Sequence, residues 1–330
     1  MDLTGSAASV NSLITVVIPT VGPAEAVLGT LRALSVQNNP PAWELLLIDN
    51  GSEPLNPASS IRQFDGHLPL RILRCAMPGL HAARHTGLVH STGEVLIYLD
   101  DDMQPGPDWL ASLSAAFDDP ATVLATGPIH AANPVLPPDW ETLWEPLSSG
   151  GRCLPGLSLL DAGNERRSLP PWYAFGGNLA IRKASVLAGG GFRPDAMPPA
   201  LGWLRGDGET GLAVALARQG VQALYLPAAA VRHHFDGGRL SRAALGQRAR
   251  KEGYSYAYSN LRAHRSAFYL LAASFCSYLA TPLMSWGLPP ARRQWRRANR
   301  WGRVAYLLRY LTSAELRRWV AREHYLGDHG

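Results

Sequence analysis

The stretch that most constrains this chain is Val95 to Met103, VLIYLDDDM, in which five apolar residues run directly into three acids, Asp100, Asp101 and Asp102. The apolar run is short and rich in strand formers, which predicts a buried central strand. Gln104-Pro105-Gly106-Pro107 follows the acids, and the spacing predicts no strand through it. Three carboxylates released together at the carboxyl end of a buried strand repel one another unless cations compensate them. In an open α/β sheet that edge is also where ligands bind. The simplest account is a divalent ion, Mg²⁺ or Mn²⁺ by its preference for oxygen ligands, holding a phosphate-bearing substrate. Acidic turns also follow strands that bind nothing, so the remaining sequence must supply partners for these acids.

It supplies them at similar positions. Leu13 to Ile18 (LITVVI) reads as a strand closed by Pro19-Thr20, and Glu25 to Val36 has the spacing of an amphipathic helix. Trp43 to Ile48 is the next buried strand and ends in Asp49-Asn50-Gly51-Ser52. Strand, helix, strand, with polar groups at each strand exit, is the opening of a doubly wound sheet. Leu70 to Arg74 predicts a third strand, Gly79 to His90 a helix leading into the Asp100 strand, Trp109 to Phe117 another helix, and Thr122 to Thr126 a strand. Pro128 to Pro171, dominated by Pro, Gly, Trp and Leu, reads as a long substrate-shaping loop with short helices. Order returns at Trp172 to Ile181, where Phe175-Gly176-Gly177-Asn178 brings backbone close to a ligand or partner strand. A glycine turn (Leu187 to Phe192), a helix (Glu209 to Gln219) and a strand (Ala223 to Leu226) lead to Val231-Arg232-His233-His234.

Asp207 and Glu209 stand at the start of that helix, with Asp195 further back. Acids there are favourable with the helix dipole, and either can also serve as a general base toward an attacking hydroxyl. His233 and His234 point to opposite sides if extended, so at most one is a ligand beside the acidic cluster. Trp140, Trp144, Trp172, Tyr173 and Trp203 suit either the core or an acceptor site on which a sugar stacks.

Charge divides the chain. Residues 241–330 hold 16 Arg and Lys against 4 Asp and Glu, and the preceding 240 residues hold 15 against 22, so a tail of +12 follows a part of −7. No charge occurs between Arg265 and Arg292, and Arg alternates with Trp and apolar residues over 291–311. Ser, Pro and Gly within the uncharged stretch favour an interfacial or re-entrant helix pair on an anionic membrane surface over a span or a pair packed on the core. Nucleic acid is the weaker alternative, because the acidic part contains no nucleic-acid module. Cys75, Cys153 and Cys276 are widely separated and lack metal-ligand spacing, as in a reduced compartment. Residues 1–11 lack the basic region and apolar core of a cleaved signal peptide, so the expected location is the cytoplasm, at the inner face of the cell membrane.

Taken together, these segments resemble the inverting GT-A glycosyltransferases of family 2 over about Leu13 to Phe235. VVIPT (16–20) is similar to the family's first strand, which implies that Pro19 and Thr20 touch the nucleotide. LLIDNGS (46–52) resembles the segment whose Asp, here Asp49, contacts the base, and GLHAARHTGL (79–88) the stretch whose Arg84 helps hold the nucleotide, with His85 where Asn is usual. GEVLIYLDDDMQP (93–105) resembles the Asp-x-Asp motif, implying Asp100 and Asp101 toward the sugar nucleotide and Asp102 on the metal. FGGNLAIRK (175–183) looks like the strand before the catalytic helix, with Gly177 and Asn178 at the donor.

RGDGETGL (205–212) departs from the family's Glu-Asp pair: counting back from Leu212 puts Glu209 in the base position and Gly208 where the Glu belongs, with Asp207 as the rival base. LYLPAAAVRHHF (224–235) resembles the strand that returns to the metal, making His234 or His233 a third protein ligand.

The implied fold is α/β of GT-A type, an open, mostly parallel sheet flanked by helices with a C-terminal helical appendage. The implied organisation is a catalytic domain over 1–240, its nucleotide-sugar half 1–127 and acceptor half 128–240, followed by the basic helical tail 241–330. The implied reaction is metal-dependent inverting transfer from a UDP-, dTDP- or GDP-sugar to a carbohydrate or lipid-linked acceptor hydroxyl in cell-envelope synthesis. Two rivals are a nucleotidyltransferase, which normally carries a basic glycine-rich loop after the first strand, and a non-catalytic membrane-bound scaffold of transferase-like fold. No GxGxxG follows the first strand, which disfavours NAD binding.

Overall fold

The computed structural model describes residues 13–55, 59–132 and 135–326, so the expectation for residues 1–11 lies outside the described residues. β1 (Ile14–Thr20), β2 (Trp43–Asp49), β3 (Leu70–Arg74) and β4 (Val95–Leu99) lie parallel in the order β3-β2-β1-β4. β1 and β4 are buried on both faces along their whole length, which is why they read as unbroken apolar runs. Pro19 lies beyond Val17, the last β1 residue paired with β4, so its missing N–H costs that ladder nothing. The crossovers are α1 (Ala24–Leu34), the short α2 (Ser59–Arg62) and α3 (Leu80–His90). α1 buries Ala24, Val27, Leu31 and Leu34, a helical stripe against the sheet. α3 is buried from His81 to Leu88, and a Cβ on Gly87 would lie 2.3 Å from Val17 Cγ1.

After β4 the chain turns through Asp100–Asp102 and enters a second sheet as β5 (Met103–Pro105), where no strand was expected. The strand exists because it does not prolong β4; it is an edge strand paired with a distant segment, and an edge tolerates Pro105. α4 (Trp109–Ala116), β6 (Leu124–Thr126) and β7 (Ile129–Ala131) follow. The stretch expected as a long loop holds α5 (Pro138–Glu141), β8 (Glu145–Pro146), β9 (Arg152–Leu154), β10 (Leu159–Asp161) and β11 (Arg167–Leu169). Strands of two or three residues are too short to display a period, which is why the sequence did not announce them.

β12 (Asn178–Arg182) runs antiparallel between β4 and β6, and α6 (Lys183–Ala188), α7 (Glu209–Arg218), β13 (Ala223–Tyr225) and β14 (Val231–His233) complete the two sheets. Their orders are β11-β13-β6-β12-β4-β1-β2-β3 and β5-β14-β7-β10-β9-β8.

The C-terminal region is helical: α8 (Arg242–Arg262), α9 (Ala267–Leu279), α10 (Thr281–Met284), α11 (Pro290–Thr312) and α12 (Ala314–Ala321). Leu245 of α8 and Ala291 of α11 belong to the same core as Trp140, Leu154 and Leu157. Among the described residues no helix is long and apolar enough to cross a membrane. The uncharged stretch is instead broken after α9, and α9 buries only Leu270 and Ser274.

Candidate active site

β12 fixes the geometry at the carboxyl edge. It is antiparallel to β4 with Asn178 opposite Leu99, so Gly176 and Gly177 fall over Asp100. A Cβ on Gly177 would lie 3.0 Å from Asp100 Oδ2, and one on Gly176 would lie 2.2 Å from Arg84 Nη2. These two glycines are required by close approach. The Gly176 N–H donates to Glu209 Oε1 at 3.1 Å, which anchors the first residue of α7 to the same edge.

Two cavities meet there. One, of about 240 Å³, is lined by Pro19, Thr20, Asn50, Asp100, Asp101, Asp102 and Arg239. The other, of about 480 Å³, is lined by Asp100, Trp172, Tyr173, Gly177, Glu209 and His233, among others, and its far wall comes from α8 through Arg248, Glu252 and Ser255. The helical appendage therefore forms part of the site.

Arg84 organises the acids. Its guanidinium is 1% exposed and lies 3.3 Å from Glu209 and 3.4 Å from both Asp195 and Asp100. Burial pulls Arg84 down, but these three carboxylates hold it above its ordinary value. Asp195 is pushed up to about 7 by burial, against the pull of Arg84. Burial also acts on Glu209, yet Arg84 and the Gly176 N–H outweigh it and hold that carboxyl below the usual range. Gly208, at φ 55°, has no room for a side chain, because a Cβ there would meet Asp195 Oδ2 at 2.8 Å. Asp195 thus occupies the space that a side chain at 208 would enter. Asp207, 8% exposed, lines the same larger cavity, but its carboxylate is engaged: Arg193 lies 3.1 Å from it and Ser259 donates to it at 2.6 Å. Burial raises its pKa.

The three consecutive acids differ. Burial lifts Asp100, and it lifts Asp101 to about 6 although Thr20 donates to Asp101 at 2.6 Å. Asp102 goes the other way, because His233 and Arg239 together outweigh its burial. His233 Nδ1 donates to the Leu157 carbonyl at 3.1 Å, which leaves Nε2 facing Asp102 Oδ2 at 3.3 Å. A charged ring donates from Nε2 to Asp102, whereas a neutral ring in this tautomer offers its Nε2 lone pair to a cation held by Asp102. Asp102 Oδ1 is buried without a hydrogen-bond partner, and Arg239 Nη1 sits 2.5 Å from Oδ2 as a cation already drawn to the site. These residues fit a divalent ion, but as a pair: among the described residues no group of three or more His, Cys, Asp or Glu side chains could hold a metal. A two-residue site leaves positions for water and phosphate, as Mg²⁺ commonly keeps.

Several expected site residues lie elsewhere. His234 is exposed and His233, its neighbour in the extended strand, is the one turned to Asp102. Asp49, 4% exposed, accepts from the Gly51 and Leu55 N–H groups and pairs with Arg74 at 2.9 Å, so it builds its own turn and lines neither cavity. Asn178 is fully buried, accepting from Trp109 Nε1 and donating to the Ala229 carbonyl, each at 2.9 Å. Arg84 lines the larger cavity but faces carboxylates. Sequence reasoning missed Arg205, Arg239 and Arg248: Arg205 opens the RGDGETGL segment but was given no role there, and Arg239 and Arg248 reach the site from a loop and a distant helix.

Fold and cavity together define an α/β enzyme with an acidic site at the carboxyl ends of its parallel strands. The sequence profile of glycosyl transferase family 2 matches residues 15–179, half of the chain, and the chain belongs to that family: it is a glycosyltransferase of GT-A fold. Among curated relatives, the glycosyltransferase AglE of Haloferax volcanii is 36% identical over 100 residues, 29% of this chain and 33% of the relative. The undecaprenyl-phosphate 4-deoxy-4-formamido-L-arabinose transferase of Salmonella choleraesuis is 31% identical over 118 residues, 34% of this chain and 36% of the relative. The match thus spans about a third of the length of these relatives. Among solved structures, the mannosyltransferase PcManGT of Pyrobaculum calidifontis in complex with GDP-Man and Mn²⁺ superposes with a TM-score of 0.49 at 18% identity, covering 95% of this chain and 84% of that one. TarS of S. aureus does so at 0.47 and 15%, covering 73% and 42%.

Proposed function

We propose that this glycosyltransferase moves a sugar from a nucleoside diphosphate sugar to an acceptor hydroxyl with inversion at the anomeric carbon, in the synthesis of a cell-envelope polysaccharide or glycolipid. The observation that carries the proposal is that Glu209, Asp100 and His233 line one cavity, so a base and the acidic edge face a single ligand-sized space. The donor lies over Pro19, Thr20 and Asp100–Asp102 in the smaller cavity, which opens beside the larger one at Asp100 and Arg239. Asp102 and His233 would hold Mg²⁺ or Mn²⁺, which when bound offsets charge on the departing diphosphate.

Glu209 is the base. Its side chain is 28% exposed, and each carboxylate oxygen keeps a lone pair beyond its contact with Gly176 or Arg84. It accepts the acceptor's hydroxyl proton as the new bond forms between that oxygen and the anomeric carbon and the bond to the diphosphate oxygen breaks on the opposite face. Asp207, held by Arg193 and Ser259, ties the start of α7 to α8 instead. Trp172, 45% exposed, and Tyr173 offer aromatic faces to a sugar. The Salmonella relative, an undecaprenyl-phosphate transferase by name, supports a lipid-linked acceptor. A location at the inner face of the membrane is supported by the exposed Leu283, Met284 and Trp286 around α10, beside the exposed Arg293, Arg296 and Arg297 of α11.

Calorimetric titration with UDP, dTDP and GDP, each with and without Mn²⁺, tests this. One nucleotide should bind in a metal-dependent manner, and Asp102→Ala should abolish that dependence. Folded protein that binds none of them, or binds one equally well without metal, contradicts the proposal.

A further inference from the structure

Among the described residues, most of the arginines that line the larger cavity have a carboxylate partner, and one does not. Arg84 is matched to Asp100, Asp195 and Glu209, Arg239 to Asp102, and Asp207 to Arg193. Arg205, in the loop before α7, makes no ion pair among the described residues. Its Nε donates to Ser255 Oγ at 3.1 Å, and Tyr306 donates to its carbonyl at 2.9 Å, so α8 and α11 hold it in place. Arg248, about two turns before Ser255 on α8, lines the same wall. It pairs with Glu252 at 3.0 Å, one turn away on the same wall and without the alignment of a hydrogen bond. Burial, and next to it the charge of Arg248, pulls Arg205 below its ordinary value, and the same two guanidinium groups, after burial, lower Lys251. Glu252, Asp195 and Glu209 offset part of this, but none of them forms an ion pair with Arg205, so the two guanidinium groups can take a further anion.

The anion is not the donor's diphosphate in its proposed seat. Arg205 and Arg248 line the larger cavity and not the smaller one, which has Pro19, Thr20 and Asp100–Asp102. Glu209, the proposed base, lines the same cavity as the two arginines, so a molecule that fills it presents one part to Glu209 and another to the arginines.

We propose that Arg205 and Arg248 form an anion subsite on the acceptor side of the cavity, which takes a phosphate carried by the acceptor and thereby sets its accepting hydroxyl against Glu209. The inference rests on the transferase reading above, and names the acceptor's chemistry as a phosphate ester. Such a phosphate arrives on a lipid or on a sugar, and both present the same dianionic oxygens to the paired guanidinium groups.

Binding of octyl phosphate and glucose 6-phosphate to the full chain, with octyl glucoside and glucose as uncharged counterparts, tests it. EDTA in every titration removes the route by which phosphate would bind through a metal at Asp102. At least one phosphate should bind about tenfold or more tightly than its uncharged counterpart, as expected for charge-assisted bonds to arginine. That preference should vanish in the Arg205→Gln/Arg248→Gln double variant and weaken with salt. The tighter of the two phosphates identifies a lipid or a sugar as the carrier. Arg248→Gln alone, which leaves the Arg205 contacts with Ser255 and Tyr306 intact, should lose much of the preference, so a misfolded double variant does not hide the answer. Equal binding of charged and uncharged compounds, or a preference that survives in folded variants, overturns the subsite. Metal-dependent nucleotide binding by the wild-type chain, measured separately without EDTA, reports on the donor reading; its failure beside intact phosphate selectivity would remove that reading and leave an anion site.

Discussion

At the scale of single residues, the site rests on one buried cation. Arg84 keeps its charge because Asp100, Asp195 and Glu209 converge on it, and those acids divide the burden unequally. Burial lifts Asp195 to about 7, so above the ordinary carboxylate range and below that value the folded chain keeps a proton that the unfolded chain has lost. Stability therefore falls as pH rises through that window. Asp101, lifted to about 6, acts in the same sense. Glu209, held below its ordinary value, acts in the opposite sense, and its contribution is lost as pH falls through its folded value. Asp195→Asn should flatten the decline in melting temperature between pH about 4 and about 7 and leave the part due to Asp101. A pH–melting profile unchanged by the substitution would contradict this assignment. The acids themselves were legible in the sequence, because an apolar run ending in three Asp needs no partner to be seen. The choice of histidine was not, since the face of β14 is set by pairing with β5 and β7, segments about 100 residues away. The resemblance implied Asp49 at the base and Asn178 at the donor; in the structure nearby backbone holds the one and the Trp109 indole donates to the other.

Among elements, long buried strands and amphipathic helices announced themselves within a residue or two, and the short strands of the second sheet did not. The closest packing in the appendage is between α8 and α11. A Cβ on Gly253 would lie 2.1 Å from the Asn299 carbonyl oxygen, and one on Gly302 would lie 2.3 Å from that of Arg250. Because backbone rather than a flexible side chain stands in the way, Gly253→Val should destabilise the protein by about 1–3 kcal/mol and lower its urea midpoint. A midpoint equal to wild type would mean that the two helices do not meet this closely. α9 and α10 make the opposite prediction, about an unburied surface. Phe268, Tyr269, Leu279, Leu283 and Trp286 are each at least 60% exposed. Vesicles rich in phosphatidylglycerol should therefore co-sediment with the protein more strongly than phosphatidylcholine vesicles, and Leu283→Glu/Trp286→Glu should release it. Equal retention of wild type and variant on anionic vesicles would remove this surface from membrane contact.

Over the whole molecule, the division between an acidic part and a basic appendage is visible in composition but not in space. α8 closes one wall of the larger cavity, Leu245 and Ala291 enter the core of the sheet, and Ser259 holds Asp207. No local pattern in residues 241–262 signals these contacts, because they join segments tens to hundreds of residues apart. A cavity lined by both acids and arginines would bring the proposed base, the proposed cation site and the proposed anion subsite within reach of one ligand, and on this reading the chemistry depends on Glu209. The measurement that tests this most directly compares sugar transfer, or hydrolysis of the nucleotide sugar, by Glu209→Gln and Asp207→Asn, with nucleotide binding followed alongside. Glu209→Gln should lose about 10²–10⁴ in turnover while still binding nucleotide, and Asp207→Asn should keep most of its rate. Turnover that survives in Glu209→Gln and disappears in a folded Asp207→Asn would contradict the assignment of the base.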